Sequence, residues 1–320
     1  MTSTVAHSDL LLSAVVVVGP RRARAQRVVD ALWAQTAVDS IEVIIVDLAP
    51  PGVRPLRTPA TVRVHYIRNP GAQAWSKARS DAVRQARAPV VAFLEDHCYP
   101  APGWAQALIE RYRSDWAAVG YAYTNANPDT YVSRAAMVND YGFWMHPAPR
   151  GQMRLMPGNN ISYRRELLSA FGADLEPLLT PDFGLQAALA ARCLPMCLEP
   201  KAMAAHENWP SLGGLLRSNF NYSRFLGARR ARTQSWGALR RLLYACLTPA
   251  SSPVLGALRL FGSTRGRRSV AAQALAGLPV LLLTHFWSGI GEALGYVFGE
   301  GATEADLYHL ELVAVRTTVE

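Results

Sequence analysis

Residues 88–102 read APVVAFLEDHCYPAP, and this stretch decides the fold. Val90, Val91, Ala92, Phe93 and Leu94 form a short apolar run that passes without a break into Glu95, Asp96 and His97. A run this short and this rich in β-formers reads as a buried strand, with the polar triplet at its carboxyl end. In an open, mostly parallel sheet, ligands sit outside the carboxyl ends of the strands, so two carboxylates and an imidazole here occupy the place where such sheets do chemistry. A solvated acidic turn is the competing reading of the triplet taken alone.

Toward the N-terminus the same pattern repeats. Ser13–Val18 is an apolar, β-branched run broken by Gly19 and Pro20, and 21–35 carries Val28, Val29, Leu32 and Trp33 at helical spacing. Ile41–Val46 is a second apolar strand ending on Asp47, after which Pro50, Pro51, Gly52 and Pro55 mark a loop. Val62–Ile67 alternates like a strand near a sheet edge, Asn69, Pro70 and Gly71 make a turn, and 75–87 places Ala78, Ala82 and Ala86 on one narrow helical stripe. Strands alternating with helices at this pace predict βαβ units and a parallel sheet. Neither a G-x-G-x-x-G nor a G-x-x-x-x-G-K-[ST] motif occurs. A sheet that binds phosphates without a glycine loop needs another source of positive charge, and a divalent cation held by Asp96 and its neighbours would supply it.

Toward the C-terminus a helix is expected from Trp104, a strand over 117–123, and an irregular, substrate-facing region over 125–150, rich in Asn, Tyr, Trp and Pro. Met156, Pro157, Gly158, Asn159 and Asn160 lead into Ile161-Ser162-Tyr163 and a helix-prone segment; Asp182 precedes a helix from Phe183. A carboxylate there is favoured by the helix dipole whether or not it has a further task. Two short apolar runs follow, 196–198 and 202–205, the second ending at His206.

The 320 residues are half hydrophobic and 18% charged, which excludes general disorder, and the net charge of +9 favours an anionic partner. The four cysteines, Cys98, Cys193, Cys197 and Cys246, have no C-x-x-C spacing and read as free thiols. No basic n-region or small-residue cleavage site accompanies the first apolar run, which is read as a core strand and not as a leader.

Taken in order, these motifs resemble the family 2 glycosyltransferases over roughly residues 13–230. The resemblance implies an α/β, Rossmann-like GT-A fold, a mostly parallel sheet flanked by helices, and transfer of a sugar from a nucleotide-diphospho-sugar to a hydroxyl with inversion. It places donor-nucleotide contacts at Gly19, Pro20, Asp47, Gly71, Arg79, Glu95 and Asp96. It sets the metal and phosphate motif on Glu95-Asp96-His97, with Asp96, His97 and His206 as ligands. It gives Gly158, Asn159 and Asn160 to the acceptor and sugar region, Asp182 the role of base, and Arg224 a contact with the diphosphate. His97 stands where the family usually has Asp, and imidazole suits Mn²⁺ better than Mg²⁺.

The remaining sequence is one-sided. From Asn208 to Gly291 there is no Asp or Glu, while eleven arginines fall in the same span. Two charge-free apolar runs, 242–258 and 269–291, are interleaved with them; Pro249 and Pro253 are expected to break the first. The expected organisation is an N-terminal tail (1–12), a catalytic domain (13–232), a helical membrane-associating region (233–300) and a C-terminal tail (301–320). The partners expected are the donor, a glycan or lipid-linked acceptor and an anionic membrane surface, with no nucleic acid. The expected location is the cytoplasmic face of a membrane, by peripheral or re-entrant attachment, with a single span through 269–291 as the alternative. The rival readings are a catalytically degenerate sugar-nucleotide-binding subunit, a nucleotidyltransferase of similar fold and a nucleic-acid binder.

Overall fold

The computed structural model describes residues 10–59, 63–70, 75–180 and 183–314. The strands are β1 (Leu12–Val18), β2 (Ile41–Asp47), β3 (Arg63–Arg68), β4 (Val90–Glu95), β5 (Cys98–Pro100), β6 (Ala118–Asn125), β7 (Gly151–Gln152), β8 (Ile161–Arg164) and β9 (Met196–His206). They form one sheet in the order β3-β2-β1-β4-β8-β6-β9-β5, with β7 paired to β9. β3, β2, β1 and β4 run parallel; β8 lies antiparallel between β4 and β6. Every residue of β1, β2 and β4 is buried, whereas β3 at the edge is not, as its alternating sequence predicts.

Helices α1 (Arg22–Trp33), α2 (Trp75–Gln85), α3 (Trp104–Arg111), α4 (Tyr131–Tyr141), α5 (Arg165–Ser169), α6 (Leu175–Leu178) and α7 (Gly184–Ala191) intervene between strands. Beyond the sheet come α8 (Leu212–Thr233), α9 (Ala238–Ser263), α10 (Arg268–Ala276), α11 (Leu278–Phe298) and α12 (Thr303–Tyr308). The chain forms two compact units, residues 1–122 with 149–205, and 123–148 with 206–320. The boundaries fall within β6 and one residue before the end of β9.

Several segments differ from the sequence expectation. Residues 131–141, expected to be irregular, form α4: Thr130 caps it by accepting from the Ser133 N–H at 3.0 Å, and Ala135, Ala136, Met137 and Val138 are buried. The two apolar runs 196–198 and 202–205 are one continuous strand, β9, despite Pro200 and Lys201 between them. Pro249 and Pro253 do not break the first tail run, which is the single helix α9. Within it the Thr248 hydroxyl donates to the Tyr244 carbonyl at 2.6 Å, and packing against α11 outweighs the lost backbone bonds. Residues 303–313 are an ordered helical turn with Leu307, Leu310 and Leu312 buried.

In the second unit α11 is the central helix, packed most extensively on α8 and α9. Gly291 and Gly295, one turn apart, allow this: a Cβ at either would strike the backbone carbonyl of Phe220 or Arg224 on α8. No single described helix is long and apolar enough to cross a membrane; α10 and α11 pass that test only as a pair, bent by 72°. That bend is weak ground for membrane association.

Candidate active site

Register assembles the site. Val18 of β1 pairs with Asp47 of β2, and Val17 pairs with Glu95 of β4, so both carboxylates reach the same carboxyl edge with β1 between them. β4 is followed at once by Asp96 and His97, and the next strand begins at Cys98. The triplet is therefore held from both sides and fully buried, not a solvated turn.

Glu95 is oriented by the segment before β8. The Glu95 N–H donates to Asn160 Oδ1 at 2.9 Å, Asn160 Nδ2 donates back to the Glu95 carboxylate, and Asn159 Nδ2 donates to Oε1 at 2.7 Å. Arg79 of α2, 2% exposed, donates to the carbonyls of Gly158 (3.3 Å) and Asn159 (3.1 Å). Arg79, expected on the donor side, and Gly158, Asn159 and Asn160, expected on the acceptor and sugar side, thus form one network in which Arg79 holds the segment whose two asparagines hold Glu95.

Asp96 faces the other way. Its carboxylate accepts from Arg24 of α1 at 3.1 Å and the Gly19 N–H at 3.4 Å, and lies 3.0 Å from His97 Nδ1. A carboxylate only accepts at this pairing, so His97 Nδ1 donates to it, and Nε2 is turned toward Glu95 Oε2 at 3.9 Å.

His206, the last residue of β9, is fixed similarly. Asn208 Nδ2 donates to Asn125 Oδ1 and to the His206 carbonyl, both at 3.0 Å, which turns Asn208 Oδ1 toward His206 Nδ1 at 3.0 Å. Nδ1 therefore donates there, which leaves the Nε2 side of the ring to face a ligand. Its ring also packs on Tyr141 at 4.4 Å.

Glu95, His97 and His206 form a buried group whose ligand atoms all lie within 4.8 Å of one another. One carboxylate and two imidazoles suit a first-row divalent cation, Mn²⁺ above Mg²⁺. The expected set of Asp96, His97 and His206 is altered at one position. Glu95 joins the group, and Asp96 supports His97 from behind.

Asp47 accepts from Arg22 at 2.7 and 2.8 Å, from the Ala49 N–H at 3.0 Å and from the Tyr66 hydroxyl at 2.5 Å. Burial, with the Asp47 hydrogen bond, holds the Tyr66 phenol above its ordinary value, so it stays a donor. Gly19 and Pro20 form the turn between β1 and α1. Arg224 lies on α8, donating to the Gly299 carbonyl at 3.1 Å. Gly71 and Asp182 lie outside the described residues.

Sequence reasoning passed over Arg22, Arg24, Tyr66, Asn125 and Asn208. The arginines carried a signal, a run of Arg21, Arg22 and Arg24 directly after the first strand. The two asparagines carried none, because the bond that matters joins residues 83 positions apart.

The model of the glycosyl transferase family 2 matches residues 13–172, which is 160 of the 320 residues. No curated protein matches the chain. Among solved structures, the mannosyltransferase PcManGT from Pyrobaculum calidifontis, in complex with GDP-Man and Mn²⁺, matches with a TM-score of 0.55 and 15% identity, over 90% of this chain and 87% of that one. At that identity the likeness is one of fold. Structures of S. aureus TarS 1–349 with UDP (TM-score 0.47, 13% identity, 86% of this chain and 90% of that one) and of GalNAc-T7 with UDP, GalNAc and Mn²⁺ (0.46, 13%, 65% and 47%) match too distantly to carry an argument. With the family model over half the chain, a mixed sheet of matching fold and a buried group suited to a divalent cation, the chain belongs to the family 2 glycosyltransferases and is a glycosyltransferase of GT-A fold.

Proposed function

We propose that the protein is an inverting transferase that moves a sugar from a nucleotide-diphospho-sugar to a hydroxyl of a glycan or lipid-linked acceptor in polysaccharide or glycolipid assembly. The observation that carries the reading is the Glu95, His97 and His206 group at the carboxyl edge of the sheet. A divalent cation held there, Mn²⁺ in preference to Mg²⁺, would neutralise charge developing on the leaving diphosphate. The chain's own residues do the rest. The Asn159 and Asn160 amides hold Glu95 in place, and Asp96 and Asn208 engage Nδ1 of the two imidazoles, which leaves their Nε2 sides to a cation.

In the transfer, the acceptor oxygen forms a bond to the anomeric carbon as that carbon's bond to the diphosphate oxygen breaks, and the diphosphate leaves with the electron pair. We assign Asp182 to take the acceptor proton, from its place in the family pattern ahead of α7. Asp47, Gly19, Pro20, Gly71 and Arg79 are assigned to the donor nucleotide side, Gly158 to Asn160 to the sugar and acceptor side, and Arg224 to the diphosphate. The reading takes 13–232 as the catalytic domain and 233–300 as a region attaching it to the cytoplasmic face of an anionic membrane. The acid-free, Arg-rich composition of 208–291 supports that attachment.

The test is Asp182→Asn assayed against UDP-, GDP- and dTDP-sugars with Mn²⁺. The expected outcome is a loss of turnover of about 10²–10⁴-fold with donor-induced thermal stabilisation retained. Unchanged turnover would remove Asp182 from the role of base.

A further inference from the structure

α9 is a surface helix with no polar outer face. Leu239, Leu243, Leu247, Ala250, Val254 and Leu258 follow one another at steps of three or four residues, which places them on one side of the helix, and all six are exposed. Leu239 is 82% exposed, Val254 59% and Leu258 66%. Surface helices of soluble proteins put charged residues on such a face, and a continuous apolar stripe of about 28 Å is more than scattered exposure. Leu282, Leu283, Phe286 and Trp287 of α11 are exposed as well, but α11 also supplies the centre of the helical packing.

The charges around α9 say what covers the stripe. Arg240 lies exposed at its first turn, stacked over Trp236 at 4.4 Å and Tyr244 at 5.6 Å, with Arg241 beside it. At the other end Arg259, Arg265 and Arg268 are exposed. No Asp or Glu occurs between 208 and 291, and the acids beyond it, Glu292, Glu300 and Asp306, pair with Arg230, Arg232 and Arg217. An apolar face with guanidinium groups at both ends matches a leaflet of acyl chains beneath anionic headgroups. It does not match a span, which would carry one of the two arginine clusters across the bilayer.

We infer that α9 lies in the plane of an anionic lipid leaflet, its Leu239 to Leu258 face in the acyl region and its terminal arginines at the phosphates. This rests on the membrane attachment proposed above and narrows it from residues 233–300 to α9. It also predicts that exposed Cys246, between Leu243 and Leu247 in sequence, enters the apolar layer.

The test uses the full chain and vesicles of phosphatidylcholine with or without phosphatidylglycerol. Wild type is expected to co-sediment with the anionic vesicles and much less with phosphatidylcholine alone. Leu243→Gln/Leu247→Gln/Val254→Gln is expected to lower the partition by roughly tenfold or more, with thermal midpoint and Mn²⁺ affinity unchanged. A polarity-sensitive dye on Cys246, attached in a Cys193→Ser background, is expected to shift to the blue on vesicle binding. If the triple variant binds like wild type, or if Leu282→Gln/Phe286→Gln on α11 loses binding in its place, the α9 assignment is overturned while membrane attachment stands. Wild type that ignores anionic vesicles overturns both. A wild-type dimer in light scattering that the triple variant dissociates assigns the face to a second copy of the chain and overturns the lipid proposal.

Discussion

Arginine is used differently in the two units. In the sheet unit several arginines hold buried carboxylates: Arg22 holds Asp47, Arg24 holds Asp96, and Arg150 holds Glu199 at 2.9 Å, whereas the acids that Arg217, Arg230 and Arg232 of the helical unit meet, Asp306, Glu292 and Glu300, all lie beyond Gly291. In the helical unit Arg267 is buried and donates to the carbonyls of Gly142, Phe143, Met145 and Pro147, while Arg240, Arg259, Arg265 and Arg268 lie exposed beside leucines. The same side chain orders acidic groups at a sheet edge in one place and flanks an apolar surface in the other. A buried carboxylate must be hydrogen-bonded or it would not remain charged, so the sheet's arginines are structural preconditions of the site. The exposed ones carry no such obligation and are available to an external anion.

The sharpest way to break the contrast is to put one kind of change in both places. Val91→Gln in β4 is expected to cost about 2–5 kcal/mol in chemical denaturation, because it leaves an amide unsatisfied in a packed core. Leu243→Gln on α9 should stay within about 0.5 kcal/mol of wild type. Equal costs would mean that the α9 face is covered within the protein.

A smaller effect is expected behind the metal group. Asn208→Leu removes the acceptor that fixes the His206 tautomer and should weaken Mn²⁺ binding by about 10–100-fold in titrations followed by electron paramagnetic resonance. Asn208→Asp keeps an acceptor and should restore most of it. If leucine and aspartate behave alike, Asn208 does not act through the imidazole.

Arg267→Ala removes a buried donor set from five carbonyls, that of Ser263 among them, and should cost about 1–3 kcal/mol in the same denaturation experiment, with Mn²⁺ binding unchanged. The smallest effect concerns His285 on α11, whose burial, with Arg259 nearby, lowers its value below the ordinary 6.5. A buried neutral imidazole contributes stability that is present above the unfolded-state value and is lost as pH falls through the lowered folded one. His285→Gln should flatten that part of the stability profile on the acid side of pH 6.5.

Much of the sheet was legible in the sequence because its parallel strands are buried on both faces and so appear as unbroken apolar runs: β1, β2 and β4 each coincide with one. The position of Glu95-Asp96-His97 at a strand end followed directly. What did not follow was which acid turns inward, because Glu95 and Asp96 are adjacent and only their partners, Asn159 and Asn160 for one and Arg24 for the other, separate them. Proline misled in α9, where tertiary packing outweighs the local preference that Pro249 and Pro253 express, and β9 runs on through Pro200. Helix α4 was hidden because its buried face is made of alanine, methionine and valine between residues of turn-like composition.

The most direct test of the account is Mn²⁺ binding to the full chain without donor, compared among wild type, Glu95→Gln, His97→Ala and His206→Ala. One site is expected in wild type, tighter for Mn²⁺ than for Mg²⁺, and its loss is expected in all three variants with the fold intact by circular dichroism. Undiminished Mn²⁺ affinity in any two of them would contradict it.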